Sequence, residues 1–240
     1  MISMRKILFV ILLVITAVDS NAQPSDSCFY IQFDFANRWV WRGVSYSEAP
    51  VIQPVFGYAN NKFNAFIFGS YPFERRAYSE IDFTAEYFVF PQLKLGFTDY
   101  FAINDSVGSR HSFFDFERKT TMHMFDIYAV VYPFKQVPLS LLGSFWFWGA
   151  DRESGTLKQN YSTYFELKYE KKLGFAKASI FVGATPMKGF YAKRAAIVNL
   201  GIGLSKELFA NSKFSIPARV EFVLNPELQN AYVNAIISIK

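Results

Sequence analysis

Apolar and polar residues alternate one for one along most of the chain, and a period of two confines each such stretch to an extended strand with one apolar and one polar face. In the first stretch Phe29, Ile31, Phe33, Phe35, Trp39 and Trp41 fall on one face, while Tyr30, Gln32, Asp34, Arg38 and Arg42 fall on the other. The separation recurs at 80–90, where Ile81, Phe83, Ala85, Tyr87 and Val89 oppose Glu80, Asp82, Thr84 and Glu86, and again at 161–170, 213–224 and 231–240. Applied throughout, the pattern predicts twelve strands, at 29–41, 51–59, 63–71, 80–90, 92–102, 121–132, 138–149, 161–170, 175–185, 195–205, 213–224 and 231–240. Two are less regular: Pro54 forfeits a ladder donor in the second strand, and the third is apolar on both faces. Asp99 falls on the apolar face of the fifth strand, which predicts a bulge or an early exit from the membrane there.

A soluble sandwich also alternates, so strand length and loop length must separate it from a barrel that faces lipid. Most of the strands run to about ten residues, close to the ~9–11 that cross a bilayer at a tilt and well beyond the ~5–6 usual in soluble sheets. The connections at 60–62, 91–92, 133–137 and 171–174 are tight, and those at 42–50, 72–79, 103–120, 150–160 and 186–194 are longer. Short and long connections alternate, as in bacterial outer-membrane barrels with short periplasmic turns and long outer loops. The fold expected is therefore all-β, a closed antiparallel up-and-down transmembrane barrel of about twelve strands, the arrangement that satisfies strand backbones in lipid. With 28 Phe and 14 Tyr against 4 Trp, the aromatic content suits pleated surfaces better than helices. The chain ends Ile239-Lys240, without the terminal aromatic residue usual for such barrels.

Residues 1–22 read as a cleaved secretory signal: Arg5 and Lys6 precede an apolar run at 7–18, and Ser20-Asn21-Ala22 supplies small residues for cleavage. Residues 23–240 then form a single barrel domain. The run is too short for the ~20 residues of a spanning helix. A single cysteine, Cys28, excludes an internal disulfide framework, and two histidines leave little for a metal centre. The net charge of +5 is mild, compatible with anionic headgroups and without the basic density that nucleic acid requires. The partners expected are outer-membrane lipid and lipopolysaccharide and a small solute, with no nucleic acid and no cofactor.

No arrangement of catalytic residues stands out. His111, Ser112 and Asp115 are the nearest to a nucleophile cluster, but adjacent residues on a strand point to opposite faces and a triad must converge in space. His123 shares a face with Phe125 and Ile127 and reads as an interfacial residue beside an aromatic belt. Gly201-Ile202-Gly203 lacks the rest of a dinucleotide loop. The informative set is the polar face itself: Arg38, Arg42, Glu80, Asp82, Glu86, Lys168, Arg219 and Glu221 are expected to line the lumen, with both signs present. Arg38 and Arg42 are expected one above the other on the first strand, level with Glu80 and Asp82, so that the opposed charges form a constriction. Replacing Arg42 by a neutral residue would then shift selectivity toward cations with conductance retained. The loop at 103–120 either folds inward as part of that constriction or extends two strands outward.

The segment 37–45, Asn-Arg-Trp-Val-Trp-Arg-Gly-Val-Ser, followed by Ser79-Glu80-Ile81-Asp82-Phe83 and Gly96-Phe97-Thr98-Asp99-Tyr100, resembles the first half of the TorF-type porins, small Gram-negative outer-membrane barrels. The resemblance covers about residues 29–101 and brings no catalytic residues. It implies an outer-membrane porin-like protein. With no catalytic arrangement in the residues, and with about twelve strands around a charged polar face, the function expected is not enzymatic but passive, narrow-pore passage of a small polar or charged solute. The competing expectation is a barrel without transport activity, serving an envelope-structural or surface-binding role.

Overall fold

The computed structural model describes residues 28–74, 77–104, 112–211 and 214–240; the 1–22 segment read as a secretory signal lies outside them. The strands are β1 (Cys28–Ala36), β2 (Trp39–Trp41), β3 (Val44–Ser47), β4 (Val51–Ala59), β5 (Phe63–Pro72), β6 (Tyr78–Phe90), β7 (Leu93–Asn104), β8 (His123–Val131), β9 (Leu139–Gly149), β10 (Thr163–Leu173), β11 (Ala176–Thr185), β12 (Ala196–Ala210), β13 (Ser215–Asn225) and β14 (Asn230–Ile239). Twelve of them, all but β2 and β3, close into one antiparallel barrel in which sequence neighbours pair and β1 meets β14. The seam between β1 and β14 joins residues 33–36 to 236–239, while β1 pairs with β4 along its full length.

Outward side chains along the wall strands are predominantly apolar. Phe29 is 72% exposed, Ile31 and Ile202 58% each and Val233 54%. The inner face carries the polar residues of the same strands, among them the buried Glu80, Asp82, Thr84, Thr98, Asp126, Ser144, Asn199 and Asn234. This is the inverse of a soluble protein, whose apolar residues collect inside, and it matches the lipid-facing belt and polar interior of a membrane barrel. Because closure leaves no free edge in the wall, the folded barrel is expected to resist dodecyl sulfate at room temperature and to migrate faster unheated than boiled. Identical mobility under both conditions would contradict a closed barrel.

Periodicity located the wall strands to within a few residues, with four departures, three of them small. β12 continues through 206–210 on a bulge between Glu207 and Phe209, where a turn was expected. In β4 and β5 the ladder lapses at Pro54 without losing register, and Gln53 Nε2 donates across the gap to Ser70 Oγ at 3.1 Å. Asp99 does face outward, but the β7 register is unbroken there. In place of a bulge, Asp99 has a partner: both carboxylate oxygens lie 2.9 Å from His123 Nδ1. His123 Nε2 lies 2.7 Å from the Phe113 carbonyl, and Phe116 stacks on the imidazole. Phe113 in turn packs on Phe83 and Phe101. The described part of the β7–β8 loop thus lies against the outside of the wall and covers a polar pair that would otherwise face lipid; it does not fold into the lumen.

The largest departure is at the first strand, expected to run through 29–41. β1 stops at Ala36, where Asn37 continues the pairing with β14 through hydrogen bonds with Ala235. The chain then turns inward, and β2 and β3 form a separate two-stranded hairpin. Trp39 is therefore buried inside the barrel against Tyr46 and Tyr78, and Trp41 packs on Trp146 and Tyr100; neither lies on the lipid face. The hairpin also explains the apolar inner face of β5, since Phe68 packs on Trp39.

Candidate functional site

The hairpin turns through Arg42 and Gly43, between the paired residues Trp41 and Val44. Both carry positive φ, 48° and 79°, the condition for the tight turn whose twist matches that of its strands. Gly43 is required for a second reason: a Cβ there would lie 1.9 Å from the Val198 carbonyl oxygen of β12. The turn is thus pressed directly on the wall, and Asn225 Nδ2 donates to the Gly43 carbonyl at 3.0 Å from β13.

Arg42 projects from this turn toward β8 and β9. Its Nη1 donates to the hydroxyls of Ser144, at 3.0 Å, and Tyr191, at 2.5 Å, and its Nη2 stands 3.5 Å from Asp126 Oδ2. The guanidinium lies over the rings of Trp41 and Tyr164, 4.3 and 4.7 Å from their centroids. Asp126 is fully buried and also accepts from Ser144 Oγ, Phe145 N and Tyr100 Oη. A buried charge pair with this many supporting donors is a rigid anchor. Around it Tyr100, Met124, Trp146, Tyr164, Tyr191 and Val198 form an apolar cluster that Trp41 joins from the hairpin. Tyr191 belongs to the 186–195 loop, which the Phe190 backbone ties to Ser162 Oγ at 2.6 Å. The half of the lumen nearer the long loops is therefore filled with aromatic side chains.

Of the eight residues expected on the lumen, two lie at the hairpin and six line the spaces beside it. Arg42 is at the hairpin tip and not on the wall, and its carboxylate is Asp126; it makes no ion pair with Glu80 or Asp82. Arg38 precedes the hairpin and pairs with Glu48 at 2.7 Å, so it does not stand above Arg42 on a common strand. The expected constriction of Arg38 and Arg42 against Glu80 and Asp82 is thus replaced by a folded plug. Glu80, Asp82 and Glu86 line a cavity of about 330 Å³ on the β5–β9 side of the hairpin. Lys168 and Glu221 line a second, of about 280 Å³, on the β9–β13 side. With Arg219 they also border a smaller space of about 170 Å³, where Lys168 and Lys177 both pair with Glu170 and Arg219 pairs with Glu221. Asp126, Ser144, Tyr164 and Tyr191, which hold the plug, carry no sequence signal beyond falling on the polar face or in a loop.

Of the residues considered for catalysis, His111 lies outside the described residues. Among the described residues no group of three or more His, Cys, Asp or Glu side chains is placed to hold a metal ion.

No protein-family model and no curated protein matches the chain. Among solved structures it is similar to a KdgM porin, at 8% identity and a TM-score of 0.48 over 89% of this chain and 96% of that one. It is also similar to a chain described under "Unveiling the Mechanism Behind the in-meso Crystallization of Membrane Proteins", at 9% identity and a TM-score of 0.44 over 87% and 82%. What the interior can do follows from its own side chains.

Proposed function

We propose that the chain is a porin-like protein of the Gram-negative outer membrane that lets a small polar or charged solute pass through gaps beside its inward hairpin. The observation that carries this reading is the pair of charged cavities, about 330 and 280 Å³, flanking the hairpin within a closed barrel. Twelve strands enclose more room than the eight whose interior side chains alone can fill, and the hairpin occupies the surplus while leaving space on either side. Charges of both signs on such surfaces orient a crossing solute without acting as a strict filter. Lipid contacts the apolar belt, and lipopolysaccharide is expected on the long-loop side of it.

The aromatic cluster around Trp41, Trp146 and Tyr191 favours a second reading, a barrel closed at rest that serves the envelope or a surface partner. Planar-bilayer recording of purified, folded protein separates the two. Brief, small conductance steps are expected for passage beside a seated plug; a silent bilayer with protein inserted would favour the non-transport role.

A further inference from the structure

Five charged side chains border the larger cavity: Arg42, Glu80, Asp82, Glu86 and Lys94. Two pairs of charges are already spoken for. Lys94 Nζ is 2.5 Å from Glu86, and Arg42 is held by Asp126 from the neighbouring wall. Glu80 and Asp82 remain, two residues apart on the inner face of β6, 6% and 7% exposed, with no cation within 4 Å among the described residues. Glu80 accepts from the Tyr78 hydroxyl. Asp82 shares a side-chain hydrogen bond with Glu80, but its Oδ1 is buried without any donor. An unpaired buried carboxylate oxygen is costly, and buried acceptors in folded proteins almost always find a donor. The cavity in front of it also presents the rings of Trp39, Trp41, Tyr100 and Tyr128.

We propose that this cavity binds a small organic cation bearing N–H donors, a primary alkylammonium or alkylguanidinium ion. Its N–H groups complete the hydrogen bonding of Asp82 and meet the Glu80 carboxylate. Its positive charge and alkyl portion lie against the tryptophan and tyrosine rings, which attract weakly hydrated cations through their π faces. A quaternary ammonium ion has the charge but no donor for Asp82. A divalent metal ion would want more oxygen ligands than these two carboxylates offer. The neighbouring pairs Lys94–Glu86 and Arg42–Asp126 are each neutral overall, so the hydrogen-bonded Glu80–Asp82 pair sets the local field.

The site is tested on purified barrel, folded in detergent at fixed ionic strength. Butylammonium and ethylguanidinium are titrated by calorimetry and by tryptophan fluorescence, with tetramethylammonium and Mg²⁺ as comparators. Saturable binding of the first two is expected. It should weaken about tenfold or more in Asp82→Asn, the loss expected for a charge-assisted hydrogen bond, and remain unchanged in Glu153→Gln, whose carboxylate pairs with Lys188 in the outer loops. Heat-dependent gel mobility verifies that each variant is folded, and Glu80→Gln carries the same test should Asp82→Asn fail to fold. Absence of saturable binding to wild type, as two carboxylates sharing a proton would give, overturns the proposal; so does equal affinity in Asp82→Asn, or Mg²⁺ binding there as tightly. Binding at equilibrium needs no open path, so this result and the bilayer recording stand or fall separately.

Discussion

Replacing Gly43 by valine is expected to unseat the inward hairpin and raise single-channel conductance several-fold. A Cβ at this position would sit 1.9 Å from a backbone oxygen of β12, which cannot rotate aside as a side-chain end could. Valine also resists the positive φ of the turn, a cost of about 1–3 kcal/mol for a strained backbone position. Both effects act on the turn and neither acts on the wall ladders, so the barrel should remain closed while its lumen opens. The hydrogen bond from Asn225 to the Gly43 carbonyl is lost in the same movement. Gly155 serves as a control: it too has positive φ, 86°, but a Cβ there meets nothing within 4 Å, so Gly155→Ala should leave conductance as in wild type. A folded Gly43→Val barrel with wild-type conductance would show that the hairpin does not limit the path.

Arg42→Met is expected to lower stability toward urea by about 3–5 kcal/mol, the cost of stranding one member of a buried charge pair. Asp126 would keep Ser144, Tyr100 and the Phe145 amide but lose the charge it faces. Asp126→Asn alone should cost a similar amount, because it leaves the guanidinium to the Ser144 and Tyr191 hydroxyls. The double variant should recover about 1–3 kcal/mol relative to the sum of the two. Strict additivity of the two losses would mean that the 3.5 Å pair contributes no coupling. Conductance of the folded Arg42→Met protein should rise, because the residue clamps a plug; the selectivity change at constant conductance that a wall arginine would give is not expected.

The strand pattern carried nearly all of the wall, since lipid on one side and polar groups on the other enforce period two. The same regularity concealed the hairpin. Trp39 and Trp41 resume the alternation of Phe29 to Phe35 after one polar position, Asn37, and so short a break in the periodicity does not by itself mark the point where the chain leaves the wall. The turn itself gives a weak signal, because tight hairpin turns favour Asn-Gly or Asp-Gly and here the first position is Arg42. One local clue was present: the third predicted strand is apolar on both faces, and Phe66 and Phe68 face inward, where Phe68 packs on Trp39 of the hairpin. Asp126 could be placed on the inner face by alternation, but its pairing with Arg42 spans 84 residues and depends on the hairpin's direction, which no local pattern encodes.

The hairpin is made early in the chain, yet what holds it comes late. Arg42 reaches partners 84, 102 and 149 residues downstream, and Gly43 is held by a residue 182 away. Contacts of such sequence separation form slowly, because the loop entropy is lost before they contribute. The segment that finally occupies the lumen must therefore wait, unseated, until β8 to β13 exist. It also directly follows β1, the strand that joins β14 to complete the circle, and that join spans only 33–36 against 236–239. Closing the circle and filling it are consequently adjacent events at one end of the same short stretch, and a barrel that closes with its hairpin outside has to reopen at this seam or draw the hairpin in through its mouth.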